Sequence, residues 1–195
     1  MNVSQHDLVI VGGGLAGLTL ALQIRDAQPD VSVAVVERAQ HPVPEITHKI
    51  GESTVELGSW YLANTLGLRD HLDECQLRKF GLRFFFGAEG RSLEQADELG
   101  VSDTFSTPTW QIDRGRLENE MVRRAEAQGV TLIGGARVKR IDTGGTRQVL
   151  YEGPHGEGAL KSRWVVDAAS RTSPLKRQLS LARPNTHDVN ASWFR

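Results

Sequence analysis

Apolar positions in this chain fall into short blocks separated by glycine and polar turns, and the blocks alternate between strand-like and helical spacing. Asp7 to Val11 is apolar after its first residue, as in a strand buried on both faces. A helix is read from Leu15, and Val31 to Val36 reads as a second strand. Arg38 to Pro44 is polar and proline-bearing, a loop that continues through Thr47 to Thr54. From Val55 to Leu72, Leu57, Trp60, Tyr61, Thr65 and Leu68 recur close to helical period, which predicts one helix. Phe80 to Phe86 is short, aromatic and strand-like. Residues 87–109 are acidic and without period, a connection with at most one helical piece.

Beyond them, Trp110 to Asp113 predicts a strand. Arg116 to Ala127 predicts an amphipathic helix with Leu117, Met121, Val122 and Ala125 on one face, ended by Gly129. Val130 to Ile133 is the next strand. Three short extended runs follow, Ala136 to Ile141, Arg147 to Glu152 and Ala159 to Ser162, parted by turns at Gly144-Gly145 and Gly153-Pro154-His155-Gly156. Trp164 to Ala168 reads as a return to the central sheet, and Asn190 to Arg195 as the start of a further strand. This order is that of an α/β, Rossmann-like domain with a β-meander crossover, incomplete at its C-terminus.

The first turn carries candidate chemistry. Gly12-Gly13-Gly14-Leu15-Ala16-Gly17 joins the first strand to the first helix. Gly12 suits a tight turn, Gly14 lets a pyrophosphate approach the backbone, and Gly17 lets helix and strand pack closely. The helix start at Leu15 and Ala16 aims free N–H groups and a positive dipole end at phosphate. Glu37 closes the second strand, twenty residues after Gly17, where a carboxylate can accept hydrogen bonds from a ribose. Arg38 adjoins it and joins the candidate set. At this point NAD and FAD fit equally.

Composition narrows the classes. The chain has 195 residues, enough for a real core in one domain, and a net charge of −1, which gives no footing for nucleic acid or an anionic membrane. No apolar run approaches a membrane span, and the first residues carry no signal-peptide pattern. Cys75 is the single cysteine, which excludes a disulfide framework and fits a cytoplasmic protein. The histidines show no metal spacing; His71 and Cys75, four apart, fit a helix surface better than a metal site.

Strand, glycine turn, helix, acid, meander and a return strand ending in Val165-Val166-Asp167-Ala168-Ala169-Ser170-Arg171 resemble the FAD-binding half of glutathione-reductase-like flavoproteins. The likeness is to the branch that includes the aromatic hydroxylases. The second motif is similar to the Asp-Ala-Ser-Gly-Arg pattern of that branch, with Ser170 standing where glycine is common. The resemblance implies FAD as cofactor, with Asp167 in its second motif. It also implies the Val138 backbone beside the adenine and Arg114 near the flavin's phosphate or ribitol; Arg114 could equally be a surface arginine at a helix start. Residues 1–54 and 110–175 are then the nucleotide-binding core, and 55–109 the segment toward flavin and substrate.

Lys49-Ile50-Gly51-Glu52-Ser53-Thr54-Val55 is the second informative segment. Gly51 allows backbone close to a flat ring, and Ser53 and Thr54 offer hydroxyls and N–H donors at a helix start. Taken alone, Ser53 or Thr54 is a helix cap. With Glu52, the segment resembles the Gly-Glu-Ser/Ala-Thr flavin loop of flavin-dependent halogenases, the tryptophan halogenase-like family. Arg78-Lys79-Phe80-Gly81-Leu82-Arg83-Phe84 fits the same family, whose essential lysine is followed four positions later by a basic residue and an aromatic. Lys79, Arg83 and Phe84 match that pattern. A lysine among aromatic residues is partly desolvated and becomes a nucleophile or a directed donor; a solvated lysine on a strand edge fits the same residues.

The resemblance implies a flavin hydroperoxide that halide attacks. Hypohalous acid then passes by way of Lys79 to an electron-rich, small-molecule, aromatic substrate. It further implies halide, O2 and a separate flavin reductase as partners. The alternatives are a monooxygenase or an isoprenoid-type reductase of the same fold, and a flavin-binding fragment that catalyses nothing. Two later signatures of the halogenases, Trp-x-Trp-x-Ile-Pro and a Gly-Asp motif, do not occur in these 195 residues. The chain is therefore expected to be the N-terminal portion of a longer enzyme, with apolar surface left open and a tendency to self-associate.

Overall fold

The computed structural model describes residues 2–46, 49–87, 90–103, 106–187, 189 and 192. Its centre is a sheet of six strands in the order β7-β2-β1-β10-β9-β8. These are β1 Asn2–Val11, β2 Val33–Val36, β7 Thr131–Ile133, β8 Arg137–Asp142, β9 Arg147–Gly153 and β10 Gly156–Asp167. The first four in that order run parallel; β10, β9 and β8 form the antiparallel meander. Helices α1 (Leu15–Ala27) and α4 (Arg114–Ala127) return the chain between parallel strands.

Alternation along β1 and β2 explains why the sheet is covered on both faces. Leu8, Ile10, Val33 and Val35 point into one cluster with Leu18, Leu22, Leu117, Met121, Val122 and Ala125 from α1 and α4. Val9, Val11, Ala34 and Val36 point into the other, with Ile141, Val149 and Leu160 of the meander. Burial on both sides is what makes these strands read as continuous apolar runs.

Between α1 and α4 the chain builds a side lobe. A helix α2 (Glu56–Trp60) passes into a π-helical turn, Tyr61–Thr65, and stops; α3 (Arg69–Cys75) follows. The single helix expected over 55–72 is thus broken, and Gly67 at φ +61° supplies the break, since glycine enters that region without a Cβ clash. Short strands β3 (Leu77–Lys79) and β6 (Thr109–Gln111) pair antiparallel, as do β4 (Arg83–Phe86) and β5 (Asp97–Gly100). Of the strand expected over 80–86 only Arg83–Phe86 forms, as β4; Phe80 to Leu82 lie outside any strand, and Gly81 among them has φ +140°. Among the described residues of 87–109 lie a 3-10 turn, Leu93–Gln95, the first residue of β6, and the unforeseen β5, whose residues Asp-Glu-Leu-Gly show no alternation.

Two further readings change. β1 begins at Asn2, well before the apolar run, because it pairs with β10 along its whole length. The runs at 159–162 and 164–168 are one strand, β10, which carries the meander on one edge and β1 on the other. The Asn190 to Arg195 reading falls outside the described residues except at Ser192. Trp110 is 1% exposed and lies between the guanidinium groups of Arg69 and Arg78, 5.4 and 5.6 Å from its ring, which pins α3 and β3 to β6. Phe80, Leu82, Phe84, Phe86 and Leu99 remain exposed on the side lobe. Among the described residues, no helix is long and apolar enough to cross a membrane.

Candidate functional site

A cleft of about 1370 Å³ opens at the carboxyl ends of β1, β2 and β10, the crevice where α/β sheets take ligands. Its floor is Gly12, Gly13 and Gly14. The glycines divide by what a side chain would meet. Gly12 has φ +107°, and a Cβ there would lie 2.5 Å from the Ala168 carbonyl. At Gly17 a Cβ would lie 1.9 Å from the Gly12 carbonyl. Both are required by the fold. At Gly14 the nearest atoms would be 3.9 Å away, so that position faces open space. Gly14 is also the N-cap of α1, without a side-chain cap and with no acid in the first turn. The free N–H groups of the first turn, at Leu15 and Ala16, thus meet no competing anion from their own helix. Leu15 and Ala16 themselves do not line the cleft.

Glu37 directly follows β2 on that wall. Its Oε2 accepts the Gly13 N–H at 2.6 Å and its Oε1 accepts the Ala39 N–H at 2.8 Å. Each oxygen keeps a lone pair for a ribose hydroxyl. Gly13 was not singled out by the sequence, yet a Cβ there would lie 2.8 Å from the Glu37 Cβ; the run of three glycines was the available signal. Arg38 and Val138 also line the cleft. Val138 sits at a β-bulge, where the register with β9 shifts before Arg140 and the ladder opens.

Asp167, the last residue of β10, does not line the cleft. Its carboxylate accepts the N–H groups of Ala169 at 3.1 Å and Leu175 at 2.9 Å, and so ties down the turn whose residues 168–172 do line it. In that turn Ser170 has φ +52°, a region that favours glycine. Ser170→Gly is accordingly expected to raise Tm by about 1–3 °C, the relieved strain outweighing the looser unfolded chain. An unchanged or lowered Tm in a thermal melt would show that the serine is not strained.

The loop at 49–54 reaches the cleft through Lys49 and Ile50; Gly51, Glu52, Ser53 and Thr54 do not line it. Thr54 is not a helix cap. Its hydroxyl donates to the Trp110 carbonyl at 2.7 Å, and accepts from the Trp110 N–H at 2.9 Å and the Ser59 hydroxyl at 2.6 Å. The cap position of α2 is Val55. Glu52 is buried; its carbonyl accepts the Ile112 N–H at 2.7 Å and its carboxylate the Arg114 N–H at 3.4 Å. The loop is thus sewn along β6 and the start of α4.

Lys79 ends β3 and turns onto this loop. Its Nζ donates to Ser53 Oγ at 3.0 Å and to the Thr54 carbonyl. Two segments singled out separately in the sequence therefore meet. Arg83 and Phe84 lie on the other hairpin, exposed, with Arg83 paired to Glu98 at 3.4 Å. Arg114 is no surface residue: its side chain is 15% exposed, it lines the cleft, and its Nη1 donates to the Ile50 carbonyl at 3.1 Å. Lys49 and Glu118, which bond to the same cluster, were missed; the spacing of four between Arg114 and Glu118 on a helix was the readable sign.

On the outer side of α4, hydrogen bonds from Arg123 and then Arg124 hold the Glu120 carboxyl at about 2. A depressed carboxyl stabilises the fold above its ordinary value near 4.5, and that contribution is lost as pH falls toward 2. Glu120→Gln should thus lower the unfolding free energy from urea melts at pH 7, by about 1 kcal/mol or less for a pair this exposed, and by nothing near pH 2. An equal gap at both pH values would rule out the ion pairs as its source.

Comparison with known proteins adds the following. Residues 5–195 match the family described as FAD binding domain. The flavin-dependent halogenase chlA of Dictyostelium discoideum is 30% identical over 152 residues, 72% of this chain and 24% of that protein. The FAD-dependent monooxygenase OpS4 of Beauveria bassiana is 29% identical over 145 residues, 73% of this chain and 33% of that protein. The structure of the flavin-dependent brominase Bmp2 superposes with a TM-score of 0.71 at 26% identity, over 89% of this chain and 40% of that one. The chain spans less than half the length of each.

Proposed function

The chain belongs to the FAD binding domain family, with FAD as its cofactor, and on that premise we propose that it is the flavin-holding part of a halogenase-like oxidoreductase. The observation that carries this reading is the contact of the Lys79 ammonium with Ser53 and Thr54. It gives one lysine a fixed address beside the loop that continues from the cleft. Residues 1–54 and 110–175 hold the nucleotide, and 55–109 reach toward the flavin ring and the substrate.

Within this proposal the chain's own residues do four things. Gly14 and the first turn of α1 receive the pyrophosphate. Glu37 accepts from the adenosine ribose. Arg114 and Lys49 offset phosphate charge. Lys79 holds hypohalous acid by a hydrogen bond and presents it to an electron-rich ring. Reduced FAD, when bound, supplies two electrons and two protons; with one further proton, O2 and halide become hypohalous acid and water. Transfer then forms a carbon–halogen bond, breaks the halogen–oxygen bond, and releases the ring proton as part of water. A separate reductase renews the reduced flavin.

The likeness to OpS4 favours a second reading, oxygen insertion with no role for halide. One assay separates the two. The protein is supplied with reduced FAD, O2, bromide and an electron-rich phenol, and products are read by mass spectrometry. Brominated phenol is the expected result. A hydroxylated product indifferent to bromide would replace the first reading with the second. Flavin binding without any product would mark the chain as a holding domain alone.

A further inference from the structure

Three charged groups meet at the inner lip of the cleft. Glu118, on α4, has a side chain only 3% exposed. Its Oε1 accepts from Arg114 Nε at 2.9 Å and from Arg114 Nη2, and its Oε2 accepts from Lys49 Nζ. A methyl group placed on Gly14 would lie 3.9 Å from both Arg114 Nη2 and Glu118 Oε1. The cluster therefore borders the space that the glycine turn leaves open. It carries one net positive charge, and Arg114 keeps two N–H donors after those given to Glu118 and Ile50.

A carboxylate beside a pyrophosphate is repulsive by itself. Its presence here, buried and saturated by two cations, needs another reason. Arg114 and Lys49 come from different elements, one the first turn of α4 and the other a loop, and among the described residues Glu118 alone binds both side chains. We infer that Glu118 is a positioning residue: it holds the Arg114 guanidinium and the Lys49 ammonium beside Gly14, where they meet the pyrophosphate. Arg114 also grips the Ile50 carbonyl, so the same carboxylate fixes the start of the loop that carries Ser53 and Thr54. This rests on the reading that the cleft takes FAD.

Charge alone and positioning predict opposite signs for Glu118→Gln. Removing a negative charge near two phosphates should tighten binding; loosening two cations should weaken it. We expect dissociation constants for FAD and for ADP to rise about tenfold or more, as for a lost charge-assisted contact. Adenosine, which lacks the phosphates, should bind as before. Glu118→Asp should recover part of the loss. Lys49→Met, at a more exposed site, should weaken FAD and ADP but not adenosine, and its effect should be less than additive with that of Glu118→Asp. Should Glu118→Gln not fold, the Glu118→Asp and Lys49→Met pair decides. Equal or tighter ADP binding in the Glu118 variants would overturn the inference, as would a matching loss for adenosine, which would mean general damage to the site. A wild-type protein that binds neither FAD nor ADP would overturn the reading of the cleft itself.

Discussion

Gly17→Ala is expected to destabilise the fold severely, and Gly14→Ala, three residues earlier, to leave the fold intact and weaken FAD binding about thirtyfold. The two positions belong to one motif, but their surroundings differ. A Cβ on Gly17 would sit 1.9 Å from the Gly12 carbonyl oxygen. That atom belongs to backbone, in a turn whose Gly12 N–H is already bonded to Val36 at 2.8 Å, so it cannot swing aside as a side chain could. Relief would require α1 to lift from β1, opening the cluster around Ile10 and Leu18. Such a change costs roughly 4 kcal/mol or more, against a total stability of about 5–15 kcal/mol for a domain. Gly14 has φ −84° and ψ −169°, which any residue can adopt, and no atom within 3.9 Å of an added Cβ. Its alanine variant should melt within about 2 °C of wild type. The methyl group would occupy the volume where pyrophosphate must approach, at a cost of about 2 kcal/mol or a thirtyfold weaker affinity. Circular dichroism melts and a flavin titration separate the outcomes. A Gly17→Ala protein that melts normally, or a Gly14→Ala protein that binds FAD as before, would show that the glycines have been assigned the wrong tasks.

This division shows what the sequence could carry. The spacing of Gly12, Gly14, Gly17 and Glu37 was legible because backbone geometry and phosphate chemistry both constrain it, and the six-stranded sheet was legible because two-sided burial writes long apolar runs. The side lobe was less so. Leu57 is 79% exposed and Trp60 54% exposed while Leu62, Leu68 and Leu72 are buried, so the apolar positions of the 55–72 stretch do not share one face of a single helix. β5 was invisible because an edge strand of Asp-Glu-Leu-Gly is held by its ladder to β4, not by its side chains. Around the cleft, residues with local signatures could be named from the sequence and those that act through distant partners could not. Glu118 and Lys49 are 69 residues apart, and nothing in either neighbourhood announces the other. Asp167 was named from its motif, but the motif did not reveal that its carboxylate is spent on backbone N–H groups.

Under the proposed halogenase chemistry, Lys79→Ala is expected to lower halogenated product at least about a hundredfold, the scale of a lost directed proton donor, while reduced flavin is still oxidised by O2. An ammonium has three N–H donors. Two are taken by Ser53 Oγ and the Thr54 carbonyl, which fix the head group in direction, and the third is left for a ligand. A lysine held this way differs from a solvated one on a strand edge, which would sample many rotamers and deliver nothing to a chosen atom. The same contacts create a second possibility, that Lys79 is only a latch for the loop. The two roles part on a measurement other than product. A latch, once removed, frees the 51–54 loop, so FAD affinity and Tm should fall together with product. A delivery group, once removed, leaves both near wild type, because Thr54 remains bonded to Trp110 and Ser59 and the loop to Ile112. Lys79→Met, which keeps the apolar stem, should match Lys79→Ala in product and wild type in FAD affinity. Halogenation that survives either change would exclude Lys79 from the chemistry and leave the lysine as a structural tie.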